Sequence, residues 1–157
     1  MIILPDLEFP GFPDITPDDL LPGGGDEPAP DYVKNIALLY EAALNRAADE
    51  PGMNFWIDSY ESGWELHAIA EYFANSPEFQ QEFGSSLDDA DYIGVLYNNV
   101  LDRAGEQDGV TYWLEQLESG TPRYAVLVDF ALSPENRDNS LYVEDIYQGD
   151  PGYWLFQ

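Results

Sequence analysis

In a chain of 157 residues, 31 Asp and Glu stand against 5 Lys and Arg, giving a formal charge of −26 and a pI near 4.1. Such a surface repels phosphate backbones and anionic bilayers, so the expected partners include no nucleic acid and the expected mode of action no membrane insertion. Apolar residues make up 45%, with 4 Trp, 11 Tyr and 8 Phe, enough for one compact core, and the absence of cysteine removes any redox argument for a compartment.

The chain begins Met1-Ile2-Ile3-Leu4-Pro5-Asp6, with no basic n-region and no apolar run of signal-peptide length. An extracellular or virion location is expected, reached by type I secretion with an uncleaved C-terminal signal or by release with a phage-like particle. Residues 1–30 hold Pro5, Pro10, Pro13, Pro17, Pro22, Pro28 and Pro30 together with Gly23-Gly24-Gly25, which excludes continuous helix or central strand and predicts an extended arm. One helical turn fits, capped by Thr16 and led by Pro17. The arm also carries Ile2, Ile3, Leu4, Leu7, Phe9, Phe12, Ile15, Leu20 and Leu21, whose exposure would cost about 25 cal/mol per Å². Those side chains need a surface, either a groove of their own domain or, in the reading preferred here, a larger protein scaffold within a hetero- or homo-oligomeric assembly.

From Asp31 the chain repeats itself. Leu44 to Trp56 reads LNRAADEPGMNFW, and Leu101 to Trp113 reads LDRAGEQDGVTYW, 57 residues later. Ile36 and Ile93, Tyr40 and Tyr97, Gly63 and Gly120, and Phe73 and Phe130 keep the same spacing without a gap. The first helix of each copy shows one buried stripe: Ile36, Leu39, Tyr40, Ala43 and Leu44, then Ile93, Leu96, Tyr97, Val100 and Leu101. Asn45 and Asp102 suit a positive-φ cap after it, Gly52 and Gly109 let the turn pass close to the next helix, and the pairs Phe55-Trp56 and Tyr112-Trp113 are expected to fill the core. A second helix stops at Gly63 or Gly120. A third carries Leu66, Ile69 and Phe73, or begins with Thr121 as cap and Pro122 as first residue and carries Leu127 and Phe130. A fourth starts at Ser76-Pro77-Glu78 or Ser133-Pro134-Glu135, with serine as cap. The expected fold is all-α: two tandem four-helix repeats, about 31–84 and 88–140, packed as one domain over residues 31–140.

These residues resemble the bacterial domain of unknown function 4214, whose motif runs approximately LGRxPDxxGxxYW, then a glycine, then SxEF. Leu44, Arg46, Asp49, Gly52, Phe55, Trp56, Gly63, Ser76, Glu78 and Phe79 match in the first copy, and Leu101, Arg103, Gly109, Tyr112, Trp113, Gly120, Ser133 and Glu135 in the second. Asn45 and Asp102 stand for the usual glycine, Ala48 and Gly105 for the proline, Glu106 for the aspartate and Asn136 for the last Phe. The resemblance spans about two thirds of the chain. It implies an accessory or binding role with no assigned reaction, of the kind found in secreted calcium-binding repeat proteins, surface proteins and phage-like head spikes.

Arg46 and Arg103 occupy equivalent places and are expected to pair with Glu78 and Glu135, or with Asp49 and Glu106, so that losing either arginine would cost a few kcal/mol. Asp88, Asp89 and Asp91 are the foremost calcium candidates, with Asp49 and Glu50, or Asp14, Asp18 and Asp19, as alternatives, although no EF-hand spacing is present. Ser86-Leu87-Asp88-Asp89 reads instead as a capping box. His67 is the only histidine, and with Glu71 it supplies too few ligands for zinc. No nucleophile elbow, phosphate loop or zinc-helix motif occurs, and the chain reads as a non-enzyme without a required cofactor.

Residues 141–157 form an aromatic tail: Tyr142, Val143, Ile146 and Tyr147, a turn over residues 148–152, then Tyr153, Trp154, Leu155 and Phe156, which either close the core or touch a partner. The expected role is that of a structural attachment protein of a head-spike or fibre type, binding a partner chain or a cell-surface glycan. The alternative is a type I-secreted, calcium-responsive accessory domain.

Overall fold

The computed structural model describes residues 29–84, 86–149 and 153–155. The anchoring arm expected over residues 1–30 thus lies almost wholly outside the described residues, as does Phe156. The described chain is α1 (Asp31–Leu44), α2 (Glu50–Glu61), α3 (Leu66–Ala74), α4 (Pro77–Phe83), α5 (Asp89–Leu101), α6 (Gln107–Glu118), α7 (Arg123–Ala131) and α8 (Pro134–Asn139). A 3-10 helix (Leu141–Asp145) and two short strands, β1 (Tyr147–Gln148) and β2 (Trp154–Leu155), follow. The all-α fold of two four-helix repeats is what the 57-residue spacing predicts.

Each predicted stripe is buried, but the two first helices are not equal. On α1 the stripe widens to take in Val33, Ala37, Leu38 and Ala42 as well, while α5 buries Tyr92 and its own stripe only. Where α1 has Ala37 and Ala42, α5 has Gly94 and Asn99, which offer less apolar surface. Helix α1 is therefore the axis: α2, α3, α4, α5 and α7 all pack on it. Among the described residues the two third helices, α3 and α7, form the most extensive contact, with α1 against α7 next. The repeats are interlocked and share one core.

The helix ends follow local chemistry. Asn45 (φ 53°) and Asp102 (φ 53°) are the two non-glycine residues in the left-handed region among the described residues, and each ends a first helix. Ser76 Oγ accepts the Phe79 N–H at 3.2 Å, and Ser133 Oγ accepts that of Asn136 at 3.2 Å, with proline first in both helices. Two expected caps are different. Asp88, and not Ser86, caps α5, its Oδ1 accepting the Asp91 N–H at 2.8 Å, because Asp89 is drawn away by Arg123. Thr121 caps nothing; Pro122, with ψ 148°, sits one residue before α7, and its carbonyl accepts the first helical bond from Ala125 at 3.0 Å.

The aromatic pairs also divide. Trp56 is buried but Phe55 is exposed, and in the second copy Tyr112 is exposed with Trp113 only half-buried. Helix α2 buries Met53, Asn54, Trp56 and Ile57, whereas α6 has no buried residue. For Asn54 the reason is the tail, while Trp56 is covered by the rings of Trp64, Tyr72 and Phe73. Strand β2 packs on α2, and nothing equivalent covers α6 among the described residues. Tyr147 pairs with Leu155 and Gln148 with Trp154 in an antiparallel ladder, and Val143, Ile146 and Trp154 join the core. The tail is an integral part of the domain, so the boundary expected at residue 140 is not a structural one. Among the described residues no helix is long and apolar enough to cross a membrane.

Candidate functional site

Each copy of the thirteen-residue stretch builds the same joint. Arg46 Nε and Nη2 donate to the two carboxylate oxygens of Glu78 at 2.7 and 3.2 Å, and Nη1 reaches Asp49 Oδ1 at 3.1 Å. Arg103 donates to Glu135 at 2.6 and 2.9 Å and pairs with Glu106 at 2.8 Å. Each guanidinium also lies 5.1 Å from a ring centre, over Tyr40 and Tyr97 respectively. Both alternatives for the acidic partner are thus realised together, and the joint ties the α1–α2 or α5–α6 turn to the fourth helix. The Tyr40 hydroxyl donates to Asp49 Oδ1, and this bond, then Arg46 and the Gly52 N–H, hold the Asp49 carboxyl down at about 2. Arg103 likewise holds Glu135 below the usual carboxylate range. The glycines are required by space: a Cβ on Gly52 would stand 2.8 Å from the Tyr40 hydroxyl, and one on Gly109 would meet that of Tyr97.

The arginines keep 43% and 34% of their side-chain surface and their glutamates 45% and 42%, so these ion pairs are screened. The cost of a few kcal/mol expected from a buried pair does not apply. Arg46→Ala should lower stability by only about 1 kcal/mol or less, measured by urea unfolding; a larger loss would show the joint to be a buried network.

A third joint, which the repeat does not encode, closes the junction between copies. Arg123 Nη2 donates to Asp89 Oδ1 at 2.7 Å and to the Leu87 carbonyl at 2.9 Å, with the guanidinium 5.0 Å from the Tyr92 ring centre. Tyr92 Oη donates to the Arg123 carbonyl at 2.9 Å, and burial pushes this phenol well above its ordinary range. Of the calcium candidates, Asp88 is therefore a cap, Asp89 an ion-pair partner, and Asp91 an exposed residue in the first turn of α5. No group of three or more His, Cys, Asp or Glu is placed to hold a metal ion among the described residues, and Asp14, Asp18 and Asp19 lie outside them. His67 is exposed on α3.

The surface feature of the first copy that packing does not use is aromatic. Trp56 is buried, and around it stand Phe55 (60% exposed), Trp64 (48%) and Tyr72 (58%), with ring centres 5.0, 6.2 and 4.9 Å from its own. Beside them runs an open groove of about 480 Å³ lined by Trp64, Ala68, Glu71, Tyr72, Asn75, Ser76 and Pro77. Positions 64, 71 and 72 correspond to Thr121, Val128 and Asp129 in the second copy, so the groove is not repeated. Sequence reasoning passed over Trp64 and Tyr72. The available signal was that they break the 57-residue pattern with large aromatic residues. In the tail, Tyr153 is exposed and Leu155 half-buried, while Trp154 is buried and is no contact for a partner.

Residues 70–140 match the domain of unknown function DUF4214. No curated protein and no solved structure matches the chain. The DUF4214 segment runs from within α3 to one residue past α8, which is narrower than the two thirds expected, and it leaves out the first-copy motif around Arg46. The first copy nevertheless reproduces the geometry of the matched segment in its positive-φ helix end, its serine cap and its arginine joint. Asn136, which departs from the DUF4214 motif, is buried and donates through Nδ2 to the Ala131 carbonyl at 2.8 Å. The groove straddles the start of the DUF4214 segment, since Trp64 and Ala68 precede residue 70.

Proposed function

We propose that this protein is a non-enzymatic structural and interaction protein of a virion-like particle or cell-surface assembly, of the head-spike or fibre-attachment type. Residues 1–30 anchor it on a larger scaffold, and the acidic helical domain projects to hold a surface polysaccharide. The observation that carries this reading is the set of exposed aromatic side chains around Trp56, because rings left half in water beside polar groups are suited to the apolar faces and hydroxyls of sugars. The conspicuous charged residues, by contrast, are occupied: Asp49 and Asp88 in caps, and Arg46, Arg103 and Arg123 in joints.

Two measurements test the two halves of the proposal. Deleting residues 1–30 should abolish incorporation into the assembly while the helical circular dichroism of the domain persists; unchanged incorporation would reject anchoring. A glycan array probed with the whole chain should give binding that Trp64→Ala removes, and a blank array would reject the polysaccharide. Saturable calcium binding by calorimetry would turn the reading towards the calcium-responsive secreted domain.

A further inference from the structure

We infer that the first-copy groove selects a cationic group, an alkylammonium or protonated amine carried on the sugar it holds. This rests on the polysaccharide reading above and adds the ligand's charge to it. All five basic residues of the chain are placed elsewhere. Lys34 pairs with Glu144, Arg46 with Glu78, Arg103 with Glu135 and Arg123 with Asp89, and Arg137 donates to Asn35 Oδ1 and the Leu132 carbonyl. None of them lines the groove, whose one charged residue is Glu71; Arg123, held by Asp89, lines the adjoining pocket that Glu71 and Asn75 share, and His67 stands one turn before Glu71 on α3.

The other polar groups of the groove point the same way. Asn75 Nδ2 gives one N–H to the Glu71 carbonyl at 3.0 Å, and its side-chain oxygen can accept. Ser76 Oγ already donates to the Phe73 carbonyl at 2.7 Å and accepts from Phe79. A ligand here meets a carboxylate and an amide oxygen between two half-exposed rings, Trp64 and Tyr72, each set at a steep angle to Trp56. Ring faces attract cations, and an ammonium donates hydrogen bonds to acceptors of this kind. A chain of net charge −26 adds long-range attraction for a cation and repels anionic glycans. The second copy supplies an internal contrast. It keeps the tryptophan-bearing stretch, with Trp113 half-buried, but has Thr121, Val128 and Asp129 at the three positions, so the repeat itself does not demand Trp64, Glu71 and Tyr72.

The test is a tryptophan-fluorescence titration of the whole chain with three probes at about 0.15 M salt, where diffuse charge attraction is damped. The probes are a tetramer of β-1,4-linked glucosamine, the N-acetylated tetramer with the same backbone, and tetramethylammonium. The glucosamine tetramer should bind tighter than the acetylated one. Glu71→Gln and Trp64→Ala should each weaken it by about threefold to thirtyfold, with helical circular dichroism unchanged. Glu115→Gln, which removes an exposed charge on α6, should not. Equal weakening by Glu115→Gln would replace the site with diffuse attraction. Equal binding of both tetramers, insensitive to Glu71→Gln, would overturn the charge selection and leave the polysaccharide reading intact. Binding of tetramethylammonium alone would support the cation and reject the polysaccharide, and no binding by any probe would reject both.

Discussion

Truncating Leu127 to alanine should cost about 2–5 kcal/mol and destabilise both repeats together. Leu127 is fully buried in the middle of α7, the helix that packs on α3 and α1 of the first copy as well as on α5 of its own. A cavity there removes apolar contact from both halves of the core at once, and tightly packed helices on three sides can collapse into it only in part. The two copies should therefore unfold in a single transition. Urea unfolding followed by tryptophan fluorescence and by far-ultraviolet circular dichroism should give coincident curves in the parent and in Leu127→Ala, shifted to lower urea in the variant. Separated transitions, with the variant moving only one of them, would show that each repeat is an independent unit. By the same logic residues 88–140 expressed alone should not fold, since α7 would expose to water the face it buries on α1 and α3. The extent of the DUF4214 match then marks a unit of sequence and not a unit of folding.

What could be read in the sequence was whatever depends on neighbours a few positions away. The 57-residue period located the eight α-helices of the described residues, and the left-handed cap at Asn45 and Asp102 followed from a short polar residue after the last stripe leucine. The arginine joints were legible because the same residue types recur together in both copies. Local chemistry failed where two local solutions compete and a distant residue decides between them. Ser86 with Asp89 and Asp88 with Asp91 have the same spacing for a cap, and the choice falls to Arg123, which takes Asp89 across 34 residues of chain. The burial of Asn54 was equally out of reach, because it turns on a strand from the far end of the chain that lies over the helix. Trp64 and Tyr72 were missed for the opposite reason: a pattern built on what the copies share discards the positions where they differ, and those are the positions that packing leaves open to another use.

The hold of the tail on α2 leads to the second large effect. Asn54 is 6% exposed and closes a two-way clamp across 100 residues of chain: its Oδ1 accepts the Trp154 N–H at 2.8 Å and its Nδ2 donates to the Trp154 carbonyl at 2.9 Å, with a further bond to the Glu50 carbonyl at 2.8 Å. Asn54→Ala strands both backbone groups of Trp154 in a buried site, and each unpaired group costs about 1–3 kcal/mol. The alternative open to the chain is to release the strand, which frees both groups to water but exposes the Trp154 ring and uncovers α2. Either way the loss should be about 2–4 kcal/mol. Which route is taken can be read by hydrogen exchange. Strand release predicts loss of protection in the Tyr147–Gln148 and Trp154–Leu155 ladder at denaturant concentrations where α3 and α7 remain protected. Asn54→Ala with unchanged stability and unchanged ladder protection would mean that the ring of Trp154 alone seats the tail. The second copy tells against that outcome. Its equivalent of Asn54 is Thr111, no strand lies over α6 among the described residues, and the helix buries no residue at all. The clamp is the feature that adds to α2 a cover that α6, packed on α5, lacks among the described residues.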